Sequence, residues 1–157
     1  MADPDTPALR ALAEADLAFR VVTTRPAGSA EESAELQGIP LDALLRTIVV
    51  RRGADDYLFV LVPGGRRFDW PKLRAHLEVS RLSLPDADEA REVTGYERGA
   101  ITPFGATRVW PVLIDRAALE HEKVAIGGGA RGVNLHLRPG DLVAQLGADV
   151  VDVTVSG

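Results

Sequence analysis

A chain of 157 residues with 46% hydrophobic content holds enough apolar material for one ordinary domain with a sizeable core. Its formal charge of -5 excludes a surface that is basic throughout, so any nucleic-acid contact must be local. The absence of cysteine excludes disulfides, thiolate metal sites and a cysteine nucleophile. No apolar run approaches the roughly 20 residues that cross a bilayer, and no signal segment is recognisable, so a cytoplasmic protein without a membrane partner is expected. The expected organisation is a short flexible N-terminus, 1–6, followed by one domain, 7–157.

Thr6-Pro7 opens a first helical stretch in which Leu9, Leu12, Ala13 and Leu17 form an apolar stripe, and Phe19 to Thr24 reads as a strand. Ser29 with Glu32 makes a capping box for a helix over about Ala30 to Gln37, stopped by Gly38. Arg46 to Arg52 and Tyr57 to Val62 have continuous apolar centres joined by Gly53-Ala54-Asp55-Asp56, which predicts an antiparallel pair covered on both faces. Asp69 caps a helix reaching about Leu77, and Asp86 with Glu89 caps another that ends at Gly95.

Beyond Gly95 a glycine-rich loop runs to Gly105. Val109 to Ile114 reads as a strand whose Pro111 belongs at an edge or bulge, because proline donates no ladder hydrogen bond. Lys123 to Ile126 and Val133 to Leu137 are two further strands around Gly127-Gly128-Gly129-Ala130-Arg131-Gly132. Pro139 and Asp141 begin a last helix ending at Gly147, and Asp149 to Val155 suits a short terminal strand. The alternation favours a mixed α/β (α+β) domain.

Both glycine-rich loops suit turns, and both suit close approach of backbone N–H groups to an anionic oxygen. Neither has the spacing of a P-loop or a dinucleotide-binding turn, and no G-x-S-x-G elbow is present. His76, His121 and His136 stand at no metal-ligand spacing, so no metal site is expected. Arg51, Arg52, Arg66, Arg67, Lys72 and Arg74 cluster around the hairpin and the helix after it, as a patch for RNA phosphates or as solvated surface charge. Arg46 opens an apolar strand, where a long cation at the rim can donate several hydrogen bonds to phosphate or carboxylate.

Taken in order, these segments resemble the YbaK / prolyl-tRNA editing-domain family. Ser29-Ala30-Glu31-Glu32 resembles its early helix, and Leu44-Leu45-Arg46-Thr47-Ile48-Val49 the strand that carries its functional lysine. Leu61-Val62-Pro63-Gly64-Gly65-Arg66-Arg67 resembles the next strand end, Gly99-Ala100-Ile101-Thr102-Pro103 its G-x-x-x-P loop before Phe104-Gly105, and Gly127 to Gly132 its late glycine-rich turn. The resemblance implies a single domain with a mostly antiparallel or mixed β-sheet core flanked by short helices. It further implies hydrolysis of the ester joining a noncognate amino acid to the terminal ribose of a transfer RNA, with no cofactor. The partners implied are aminoacyl-tRNA and an aminoacyl-tRNA synthetase; no DNA contact is implied, and the oligomeric state is left open.

On this resemblance Gly99, Thr102 and Pro103 carry the reaction with Arg46, backbone donors of Gly99 to Pro103 facing the scissile ester. Ile101, Phe104, Gly105, Gly127, Gly128, Gly129, Arg131 and Asn134 then shape the substrate pocket, with Gly127 to Gly132 as the opposite wall. Arg46 stands where the family carries lysine, which retains fixed positive charge and excludes a neutral amine. Asn134 stands where some members carry an acid. A small noncognate amino acid on proline tRNA is the substrate the resemblance implies. Two other readings stay open on the residues: a non-catalytic module binding tRNA or a synthetase, and a hydrolase of another small acyl ester.

Overall fold

The computed structural model describes residues 4–156, so Met1, Ala2 and Asp3 of the expected flexible segment lie outside the described residues. Thr6, at that segment's end, is buried and caps helix α1 (Pro7–Ala13), its Oγ1 accepting from Leu9 N–H at 3.1 Å. Strand β1 (Arg20–Thr23) follows, then α2 (Ala30–Gln37). Ser29 caps α2 through Glu32 N–H, and Gly38 ends it at φ 70°, where a side chain would be strained.

The centre of the molecule is a four-stranded sheet. β2 (Leu45–Gly53) and β3 (Asp56–Pro63) form the antiparallel hairpin, with Thr47 opposite Leu61 and Val49 opposite Phe59. β5 (Val112–Asp115) lies parallel to β3, and β8 (Asp149–Val151) parallel to β5, giving the order β2-β3-β5-β8. The continuous apolarity of β3 follows from its place between two layers. Tyr57, Phe59 and Leu61 join one core cluster, and Leu58, Val60 and Val62 the other.

The first layer contains α1 and an antiparallel three-stranded sheet of β1, β7 (Val133–Leu137) and β6 (Val124–Gly127), whose Ile126, Leu135 and Leu137 meet Phe59 and Ile114 in one cluster. In the second layer Leu73 of α3 (Trp70–Leu77) packs with Val151 and Val153. Helices α4 (Ala87–Thr94) and α5 (Pro139–Leu146) complete the mixed α/β domain. Among the described residues no helix is long and apolar enough to cross a membrane.

Two local expectations need correction, and one strand is added. Val109 to Pro111 is not strand: Val109 is fully exposed, and Pro111, lacking an N–H, contributes only its carbonyl, which accepts from Phe59 N–H at 2.9 Å. The terminal segment is two strands, β8 in the central sheet and β9 (Thr154–Ser156) in another. β9 pairs with β4 (Arg66–Phe68), a strand that the residue pattern does not announce.

Candidate active site

A cleft of about 720 Å³ runs along the outer edge of β2, facing the start of α2 and both glycine-rich loops. That volume lies in the range of ~300–1,000 Å³ usual for small-molecule sites. Of the residues predicted for the site, Arg46, Gly99, Ile101, Gly127, Arg131 and Asn134 line it together. The two loops touch: a Cβ on Gly127 would lie 3.4 Å from Ile101 O, and one on Gly99 3.4 Å from Arg131 Nε. Gly99 adopts φ 91°, a conformation that favours glycine, and this lets the guanidinium lie directly over its backbone.

The remaining predicted loop residues do not line the cleft; they stand behind its wall. Thr102 is fully buried, its hydroxyl accepting from Phe104 N–H at 3.4 Å. The Phe104 carbonyl accepts from Tyr96 OH at 2.6 Å, and burial pushes that phenol up to about 12. Gly105 sits against α1, where a Cβ would meet the Pro7 backbone at 2.4 Å. Gly128 O accepts from Thr6 Oγ1 at 2.6 Å, and a Cβ on Gly129 would crowd Thr6 and Tyr96 at 3.0 Å. Pro103 is likewise absent from the lining.

The electrostatics of the cleft oppose those of the chain. Arg46, Arg98 and Arg131 line it, and no carboxylate does among the described residues, although the net charge is -5. Arg46 Nη2 donates to Arg66 O at 2.9 Å, which holds the guanidinium at the cleft rim. None of these three arginines makes an ion pair among the described residues. Such a lining suits an anion. Asn134 donates to Val22 O at 3.2 Å through Nδ2, leaving Oδ1 without a donor among the described residues. Within the same limit, the N–H groups of Gly99 and Ile101 have no protein acceptor, whereas Ala100 N–H is taken by Glu97 O at 2.9 Å.

Outside the cleft, four of the six cations predicted for phosphates are held by acids: Arg51 with Glu89 at 3.4 Å, Arg52 with Asp56 at 3.0 Å, Arg66 with Asp115 at 3.7 Å and Lys72 with Asp152 at 3.3 Å. Arg67 and Arg74 make no ion pair among the described residues. His136 contacts Gln37 Oε1 through Nε2 at 2.9 Å, and burial, with Arg20 and Lys123 nearby, lowers its pKa. Sequence reasoning missed Arg98, Thr47 and Leu84 as lining residues. Arg98 alone carried a signal, being the cation within the first glycine-rich loop.

A cationic cleft walled by two glycine loops, with backbone N–H groups that have no protein acceptor among the described residues, has the elements that suit ester hydrolysis on an anionic substrate. The chain matches the aminoacyl-tRNA editing domain over residues 24–144 and belongs to that family; it is an aminoacyl-tRNA deacylase. It is 26% identical over 127 residues to the multifunctional Ser/Thr-tRNA deacylase ProXp-y of Escherichia coli (strain K12), covering 78% of this chain and 76% of that protein. It is 29% identical over 115 residues to the proline–tRNA ligase of Thermosipho africanus (strain TCF52B), covering 73% of this chain but 20% of the ligase. The crystal structure of hypothetical protein APE2540 superposes with a TM-score of 0.81 at 28% identity, covering 88% of this chain and 92% of that one.

Proposed function

We propose that this chain acts in trans on proline tRNA carrying a small noncognate amino acid, releasing the amino acid and intact tRNA. The observation that carries this reading is a cleft with Arg46 at its rim that, among the described residues, holds no carboxylate and leaves the N–H groups of Gly99 and Ile101 unpaired. Arg46 holds a phosphate near the 3′ end; its fork and permanent charge suit that role, and no step needs it to release a proton. The N–H groups of Gly99 and Ile101 donate to the ester oxygen as it becomes an oxyanion, while water, assisted by a ribose hydroxyl, attacks the carbonyl. Asn134 Oδ1 is a further acceptor for a substrate donor.

The need for a small-acyl editor is general: an apolar pocket separates side chains by only about 1–3 kcal/mol per methylene, so a second hydrolytic site raises fidelity. The likeness to proline–tRNA ligases supports proline tRNA, and the likeness to the deacylase ProXp-y supports an editor working beside a synthetase in the cytoplasm. Arg67 and Arg74, free of ion pairs among the described residues, meet the tRNA backbone beyond the cleft. The test is a deacylation panel of alanyl, cysteinyl and seryl esters of proline tRNA. Turnover of at least one is expected; no turnover above buffer across a broad panel refutes the reading.

A further inference from the structure

The cleft is built on a strand edge that is closed at both ends and open in the middle. Near its start β2 is tied to β6 through a bridge between Leu44 and Ala125. At its far end Arg51 exchanges both main-chain bonds with Ser83, N–H to O at 2.8 Å and the reverse at 3.0 Å. Since Arg51 turns its peptide groups outward, the alternation of an antiparallel strand turns those of Thr47 and Val49 outward too, while Leu44 O accepts from Gly64 N–H on the hairpin side at 2.8 Å. Thr47 and Val49 both line the cleft, and among the described residues no neighbouring strand covers this stretch. Thr47 Oγ1, on the same stretch, is buried without a partner among the described residues. Unpaired peptide groups at a strand edge are a template for a ligand with matching donors and acceptors.

Leu84, Pro85 and Ala90 line the cleft beside this edge, and Leu84 is 55% exposed, one of the few large apolar side chains left in solvent. A flat group with apolar faces and a polar edge suits such a place. An α-ammonium suits it less, because it has donors alone and leaves the outward N–H groups unmatched. A purine edge offers both: in adenine the N6 amino donates and N1 accepts. We propose that the open stretch Thr47–Val49 is a nucleobase subsite that reads the terminal adenine of the tRNA, Thr47 C=O accepting from N6 and Val49 N–H donating to N1, with Leu84 against the ring. This rests on the reading of the cleft as the tRNA 3′-end site, and it places the base toward Leu84 and the ester toward Gly99 and Gly127.

The experiment titrates the intact protein with adenosine 5′-monophosphate and inosine 5′-monophosphate, following amide resonances. Inosine presents a carbonyl at C6 and a proton on N1, which inverts both contacts. Adenosine monophosphate is expected to shift the Thr47 and Val49 amides and to bind about tenfold or more tightly than the inosine nucleotide, since a site built for a hydrogen-bonded edge rejects its mismatch. Leu84→Ser is expected to weaken adenosine monophosphate binding without unfolding the protein. Equal binding of the two nucleotides, or shifts that bypass Thr47 and Val49, overturns the subsite. The deacylation arm compares alanyl, cysteinyl and seryl esters on RNA ending in adenosine with the same esters on RNA ending in inosine. Equal turnover overturns the subsite while leaving the deacylase standing. Selective adenosine monophosphate binding without turnover of any of these esters supports the subsite and removes the substrate reading.

Discussion

Thr6→Ala removes a hydroxyl with two partners, each of which can be weighed. Its Oγ1 caps α1 by accepting from Leu9 N–H at 3.1 Å, and loss of a threonine cap costs about 1 kcal/mol. The same hydroxyl donates to Gly128 O at 2.6 Å in a buried setting, and an acceptor left without its donor costs about 1–3 kcal/mol. With partial relief by water, the sum is about 2–3 kcal/mol, or a fall in Tm of about 4–12 °C for a domain of this size. Thr6 also abuts Gly129, next to the turn carrying Arg131, so kcat should fall with stability. Thermal and urea unfolding of Thr6→Ala and Thr6→Ser measure this, the serine restoring most of the loss. A Thr6→Ala protein within about 0.5 kcal/mol of wild type would refute the view that this bond fastens the late glycine turn to α1.

Gly105→Ala places a Cβ against the Pro7 and Ala8 backbone at a φ of 67°; overpacking plus a left-handed alanine should cost about 2–4 kcal/mol, read as a shift in the urea midpoint. Gly38→Ala meets nothing within 4 Å and should cost only about 1–2 kcal/mol by the same measurement. His136 has a pKa lowered on folding, so the unfolded chain binds its proton more readily: the stability it contributes is full above its ordinary value of 6.5 and is lost as pH falls through 6.5 toward the folded value. His136→Gln should flatten that part of the stability profile. Reversing the charges of Arg67 and Arg74 should weaken tRNA binding and lower its salt dependence, while leaving hydrolysis of a small aminoacyl ester unchanged.

The hairpin was legible because Ile48-Val49-Val50 and Leu58 to Val62 are too apolar for anything but a strand covered on both faces. The starts of α2 and α4 were legible because the caps are local: Ser29 reaches Glu32 N–H and Asp86 reaches Glu89 N–H, three residues away. Strands β4 and β9 were not, since Arg66-Arg67-Phe68 carries two charges and pairs with Thr154–Ser156 at the far end of the chain. The division of labour among the glycines was also hidden. Gly99 and Gly127 line the cleft, whereas Gly105, Gly128 and Gly129 accommodate α1 and Tyr96, and the Thr6–Gly128 bond spans 122 positions. For the same reason the basic cluster looked free in sequence: the partners Glu89, Asp115 and Asp152 come from distant elements.

The most direct test of the central claim is the kcat/KM for deacylation of alanyl-, cysteinyl- and seryl-tRNA(Pro) by the wild-type chain and by Arg46→Ala, with unfolding curves confirming that both are folded. The account predicts turnover of at least one ester by the wild type and a loss of about 10–100-fold in the variant, the worth of charge-assisted hydrogen bonds to a phosphate. Equal rates for the two proteins would contradict the role given to Arg46, and a wild type without turnover on any ester would contradict the account itself.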